Sequence, residues 1–166
     1  MATYTLISSV TVGSGGAAGI DFTSIPSTYT DLCIKLSVRG TDSSGDLGIK
    51  FNTSTANFSR RVLIGNGSAA SSTNASDNYI GGLTPSSYTA NTFGNSEIYI
   101  TNYAGSNNKS ISADSVVENN ATTSFAFLIA SLWSNSAAIT GITLYPFTSG
   151  NIAEYSTAYL YGISNA

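Results

Sequence analysis

The chain of 166 residues predicts an all-β fold, an antiparallel, jelly-roll-like β-sandwich in a single domain. Three observations predict it. Apolar and polar residues alternate with a period of two along most of the sequence. Turn clusters rich in Gly, Asn and Ser recur at roughly 8–15-residue intervals. No stretch joins a helical period to helix-forming residues.

The elements follow in order. Tyr4–Val12 reads as a strand, and Thr11-Val-Gly-Ser-Gly-Gly-Ala-Ala-Gly-Ile20 as a mobile connection after it, so residues 1–24 form an N-terminal strand and glycine-rich segment able to act as an arm on a partner. Asp31 to Arg39 is the clearest case: Leu32, Ile34, Leu36 and Val38 face a core, alternating with Asp31, Cys33, Lys35, Ser37 and Arg39. Gly40–Asp46 is a turn; Leu47–Phe51 and Arg61–Ile64 are strands, the latter closed by Gly65-Asn-Gly67. Ser96–Thr101 and Ser110–Glu118 flank the turn Asn102–Asn108. Thr123–Trp133 follows; Ser112–Trp133 lacks Gly and Pro, but its β-branched and aromatic residues, and Asn119-Asn120, argue against a helix. Ile139–Tyr145, the turn Thr148–Asn151 and Glu154–Ile163 complete about eight to ten strands.

Composition narrows the function. Charged residues make up 9% of the chain and hydrophobic ones 42%, against about 25% charged in an ordinary soluble domain. Ser, Thr and Asn fill the gap, giving a surface that is inexpensive to desolvate and suited to packing against neighbours. Three Lys and three Arg, scattered under a net charge of −3, offer no basic stripe for nucleic acid. No apolar run approaches the roughly 20 residues of a membrane helix. The start of the chain carries no secretory pattern and Cys33 is the only cysteine, which predicts folding in a cytoplasm without a disulfide. Histidine is absent, which removes the usual general base, the standard triad and the commonest metal ligand together.

Each candidate site has a plain alternative. Gly13, Gly15 and Ala18 satisfy G-x-G-x-x-G/A, but the chain runs on into Ile20-Asp-Phe-Thr-Ser-Ile-Pro26 where a nucleotide fold needs a helix, so no nucleotide cofactor is expected. Gly65-Asn-Gly-Ser68 lacks the Lys of a phosphate loop. Asp42, Asp46 and Asp77 have no calcium-loop spacing, so no metal is expected. Glu97, Glu118 and Glu154 sit at polar strand positions with nothing to bring two together as a glycosidase pair. Six Asn-x-Ser/Thr triplets, at Asn52, Asn57, Asn66, Asn74, Asn108 and Asn120, are close to the number this composition gives by chance. Cys33 reads as a small strand residue. Arg60 and Arg61 are neighbours in a strand, so one faces the fold and the other a partner, or both are surface charges. Tyr155, Tyr159 and Tyr161 share a face by parity, an aromatic stripe for a core edge, an interface or a sugar ring. These five residues are the expected interface; no catalytic or cofactor-binding residue is expected.

The segments Ser24-Ile-Pro-Ser-Thr-Tyr-Thr-Asp-Leu32, Arg60-Arg-Val-Leu-Ile-Gly-Asn-Gly67 and Ile98-Tyr-Ile-Thr-Asn-Tyr-Ala-Gly-Ser106 resemble virion structural proteins of marine and cyanobacterial tailed bacteriophages, as do Ser115-Val-Val-Glu-Asn-Asn120, Leu132-Trp-Ser134, Ala138–Leu144 and Tyr155–Ile163. The resemblance spans about Ile25 to Ile163 and includes no catalytic signature. It implies a capsid decoration (cement) protein on the capsid exterior, made in the host cytoplasm, with the major capsid protein and copies of itself, as a homotrimer, as partners. The alternative is a tail-fibre or spike module recognising host surface glycan; no stalk or coiled coil is visible, which favours the capsid. A glycan-degrading enzyme is the weakest reading, and the expectation is a protein that is not an enzyme.

Overall fold

The structure, a computed structural model, describes residues 2–119 and 124–164. Among these residues there are twelve strands and no helix. The strands are β1 (Thr3–Thr11), β2 (Ile20–Phe22), β3 (Asp31–Val38), β4 (Asp46–Phe51), β5 (Phe58–Gly65), β6 (Ala70–Ala75), β7 (Tyr79–Gly82), β8 (Gly94–Ile100), β9 (Lys109–Val117), β10 (Phe125–Trp133), β11 (Ile142–Pro146) and β12 (Thr157–Ser164). They form an antiparallel β-sandwich of unequal sheets: eight strands in the order β1-β12-β3-β8-β9-β10-β5-β6, and four in the order β2-β11-β4-β7.

The pairings are nested. β1 pairs with β12, β2 with β11, β3 with β8 and β4 with β7. The hairpins β5–β6 and β9–β10 fall between members of that series, and β10 pairs with β5, so the two hairpins extend the larger sheet beyond β8. One hydrophobic core lies between the sheets. It is built by parity: in β3 the buried residues Leu32, Ile34, Leu36 and Val38 point inward, and in β9 Ile111, Ala113, Ser115 and Val117 do the same. Trp133 anchors the β10 end, its ring 5.3 Å from Phe51 and 6.2 Å from Phe58, and its Nε1–H donates to the Ala56 carbonyl at 3.2 Å. Lys109, fully buried beneath the Asn102–Asn108 turn, donates from Nζ to the carbonyls of Gly105 and Asn107; burial pushes its pKa down.

The alternating runs contain strands as expected, although Ile139–Gly141 and Glu154–Ser156 lie outside β11 and β12, and there are three additions. β2 is only three residues long. β6, Ala-Ser-Ser-Thr-Asn-Ala, is an edge strand exposed on both faces, so it has no apolar row to announce it. β7 is Tyr-Ile-Gly-Gly, wholly buried and half glycine. A Cβ at Gly82 would lie 2.8 Å from Val117 and 2.9 Å from Phe127; the glycine is what lets β7 lie against β9 and β10. The glycine-rich segment expected to be mobile is tied down instead: Ala17 and Ile152 exchange backbone hydrogen bonds of 2.9 and 2.7 Å. Extended β2 follows it, where a nucleotide fold would have a helix. Residues 3–11, offered as an arm, pair along β12 as the edge of the larger sheet, with a bulge between Leu6 and Ser8. Thr123, the expected first residue of the run Thr123–Trp133, and the Asn120 triplet lie outside the described residues.

Replacing Trp133 with Ala removes the ring joining β10 to β4 and β5, and we expect a loss of about 3–5 kcal/mol, read as a lowered midpoint in urea unfolding.

Candidate binding surfaces

The outer face of the eight-stranded sheet has no covering layer among the described residues. Its composition follows from strand register. One row across it runs Ser9, Tyr159, Lys35, Glu97, Asp114, Leu128, Leu63 and Ser72. Of the seven exposed large hydrophobic side chains among the described residues, six stand on this face: Tyr4, Leu6 and Tyr159 toward the β1 edge, and Val116, Leu128 and Leu63 on the β9-β10-β5 extension. Between the clusters, Lys35 and Glu97 form an exposed ion pair at 2.8 Å. Asp114 stands opposite Glu97 in register, a juxtaposition of carboxylates that linear spacing did not reveal. Glu118 directly follows β9 and Glu154 lies in the turn before β12. Cys33 points to this face but is fully covered; burial, then the charge of Glu97, push its thiol up to about 11, which makes it a poor nucleophile. Tyr99 donates to Asp31 at 2.8 Å, and burial followed by that bond pushes its pKa up to about 12.

The expected interface residues separate. Arg61 points outward, exposed, beside Leu63 and Leu128. Arg60 points into the sandwich: its Nε and Nη2 donate to the two Asp77 carboxylate oxygens at 2.6 and 3.1 Å, and its guanidinium lies 4.7 Å from the Tyr79 ring centre. Tyr159 and Tyr161 share the outer face, and Tyr161 packs 6.3 Å from Tyr4. Tyr155 does not join that stripe. It precedes β12 in a turn, at φ +68, with its N–H bonded to the Val12 carbonyl at 2.9 Å; the left-handed backbone breaks the parity on which the stripe was counted.

A second site lies at one open end of the sandwich. Asp46, the first residue of β4, opposes Gly82 and stands in a recess of about 320 Å³ walled by Ile64, Leu83, Val117, Phe125, Phe127 and Tyr88. The rings of Phe125 and Phe127 stack at 5.7 Å, and Tyr79 meets Phe127 edge-on at 6.3 Å. The loop bearing Tyr88 is clamped by Arg39, whose Nη1 donates to the carbonyls of Thr89 and Thr92 at 3.0 and 2.9 Å and whose Nη2 donates to those of Ser86 and Tyr88 at 3.1 and 3.0 Å. The planar fork of arginine reaches four carbonyls at once, which an ammonium cannot do. Nothing in the sequence marks Arg39 for this, because its partners lie some fifty residues away.

The recess contains opposed electrostatics. Burial, the leading cause, and the charge of Asp77 raise the pKa of Asp46 against the lowering effect of Arg60. For Asp77 burial is again the largest single influence and raises the value, but the Arg60 hydrogen bond, the Tyr79 N–H and the Arg60 charge together outweigh it and leave the pKa lowered. Burial and then the charge of Asp46 drive the Tyr79 hydroxyl upward.

Asp42, which with Asp46 and Asp77 lacks the spacing of a calcium loop, is a turn staple: it accepts from the Ser44 N–H at 3.0 Å and from the Ser149 hydroxyl. Among the described residues no group of three or more His, Cys, Asp or Glu could hold a metal ion, and no helix is long and apolar enough to cross a membrane. Comparison with protein-family models, with curated proteins and with solved structures gives no match.

Arg39→Lys should cost about 2 kcal/mol and increase amide exchange in residues 86–92. Asp46 and Asp77 should respond to pH with opposite signs. Asp77, lowered in the fold from 3.8, contributes stability above that value that is lost as pH falls through its folded pKa, so Asp77→Asn is destabilising at pH 7, by about 1–3 kcal/mol. Asp46, raised, is a charge the fold disfavours, so Asp46→Asn raises the melting temperature at pH 7, and the gain shrinks as pH falls through the raised pKa. Thermal melts from pH 3 to 7 check both.

Proposed function

We propose that this protein is a phage virion structural protein, a capsid decoration (cement) protein that lays the outer face of its eight-stranded sheet on the capsid exterior. The observation that carries the reading is the gathering, among the described residues, of six of the seven exposed large hydrophobic side chains on that uncovered face. Eight strands about 4.8 Å apart, each about eight residues long, present an area on the order of 900 Å², close to what one partner gives to a standard interface. The nested strand pairing supports a jelly-roll reading with two inserted hairpins, an architecture used by viral coat and lectin domains; as a likeness of fold it adds only weight. The sequence resemblance to tailed-phage structural proteins points the same way.

The mechanism is binding without chemistry. A copy seated across a seam between capsid subunits stabilises the assembled shell by whatever free energy it gains there and not on separated subunits. Many copies act together, so modest affinity at each contact suffices. Few charges have to leave water. Both edges of the larger sheet, β1 and β6, have no further strand beside them among the described residues, which suits head-to-tail association into a closed trimer.

A second reading has its own observation. Tyr159, Tyr161, Lys35, Asn95, Glu97 and Asp114 line a shallow depression on the same face, aromatic surface beside hydrogen-bonding groups, which is the chemistry of glycan recognition by a tail-fibre module.

Purified protein should co-sediment saturably with expanded, undecorated phage heads. Leu63→Glu combined with Leu128→Glu should weaken that binding about 100-fold while leaving the melting temperature nearly unchanged. Absence of saturable binding would count against the capsid role. Retention of a host glycan, abolished by Tyr159→Ala and indifferent to the leucine pair, would establish the fibre reading in its place.

A further inference from the structure

We infer that the recess at the open end of the sandwich is a socket for an organic cation, an alkylammonium or guanidinium group, with its charge against Asp46 and its methylenes along Phe127, Val117 and Leu83. The first argument is charge balance. Asp46 and Asp77 bring two carboxylates to this end of the fold and Arg60 brings one cation. Arg60 is already committed, held through two nitrogens by Asp77 and stacked on Tyr79. The Asp46 carboxylate accepts no hydrogen bond from any described residue; its backbone carbonyl alone does, from the Phe147 N–H at 2.9 Å. Its carboxylate is therefore left half-buried at an apolar recess, within reach of the Arg60 charge but bonded to no cation, an arrangement that an incoming cation completes.

The walls supply the second argument. Aromatic faces attract cations electrostatically and apolar walls accept the stem of a lysine-like chain. Phe127 is held in place by Phe125 and Tyr79. Ser43 and Ser87 line the same recess, and a serine hydroxyl can accept N–H groups that Asp46 does not take. At about 320 Å³, the space is at the small end of ligand sites, sized for a side-chain terminus or a small amine. A neutral ring would fill the volume and leave Asp46 unmatched.

The inference does not depend on the capsid reading, although a lysine or arginine of a shell subunit is one source of such a cation and a free amine is the other. The test is a titration of the intact, ¹⁵N-labelled chain with n-butylammonium chloride and with methylguanidinium chloride, followed by amide shifts and controlled with sodium chloride and 1-butanol. Saturable shifts at Asp46, Leu83 and Val117 are expected with both cations and not with 1-butanol. Asp46→Asn should weaken the response at least about tenfold. Ser87→Lys, which puts an ammonium at the rim from an exposed loop position, should do the same with the melting temperature unchanged. An equal response to 1-butanol, an undiminished response in Asp46→Asn, or no response in the unaltered protein would each overturn the proposal. Binding of Asp46→Asn to undecorated heads then separates the sources: weakening assigns the cation to a shell subunit, and full binding assigns it to a free amine. If the unaltered protein fails to bind heads at all, the capsid reading falls and the amine titration, which uses no capsid, still decides this one.

Discussion

Eight strands face four, and the character of the molecule follows from that mismatch. A β-strand sends alternate side chains to opposite faces, so every strand of the larger sheet presents an inner and an outer row. The smaller sheet can cover one of those rows only. Leu32, Ile34 and Leu36 disappear beneath it, together with Ile111 and Ala113, while Lys35, Glu97, Leu63 and Leu128 are left in water by the same geometry. The apolar members of that outer row are individually ordinary. Together, on a face of interface size, they give the fold a second surface with the properties of an unfinished core.

The inserted hairpins create most of this surface. Without β5–β6 and β9–β10, the nested pairs β1·β12, β2·β11, β3·β8 and β4·β7 would make two sheets of four strands each. The added hairpins take part of their cover from β7, whose two glycines allow the backbone to approach Ser115, Val117 and Phe127, and from Phe51, which meets Trp133 and Phe58. Where this cover runs out, the recess opens. Its polar groups and its aromatic walls therefore arise from the same structural event: an extension wider than the sheet that packs beneath it.

Charge is used sparingly, and half of the cations hold the fold together. Arg39 gathers four loop carbonyls, Arg60 bridges Asp77 and Tyr79, and Lys109 bridges two carbonyls of a turn. Three of the six cations are thus spent on positioning backbone or other side chains, which leaves Arg61, Lys35 and Lys50 as the exposed or half-exposed remainder. A surface of hydroxyls and amides with a few aromatic and aliphatic islands is the consequence, and it favours association by desolvation over association by long-range attraction.

The all-β class, the long strands and the inner rows were legible in the sequence, because alternation is a local signal written in adjacent residues and needs no partner to be read. Parity put Arg60 and Arg61 on opposite faces, but which of them enters the sandwich, and that it meets Asp77 and Tyr79, was not in the sequence. β6 and β7 were not legible, since a polar edge strand and a buried Gly-Gly strand carry no alternation, and Tyr155 was misplaced because a left-handed turn residue interrupts the count without altering the residue types. Only the tertiary structure decided which sheet each strand joins, that Glu97 meets Asp114, that Arg39 clamps a distant loop and that Asp46 stands unmatched among aromatic rings. Those outcomes depend on backbone hydrogen bonds and burial between segments far apart in the chain, and no window of sequence contains both halves of such a contact.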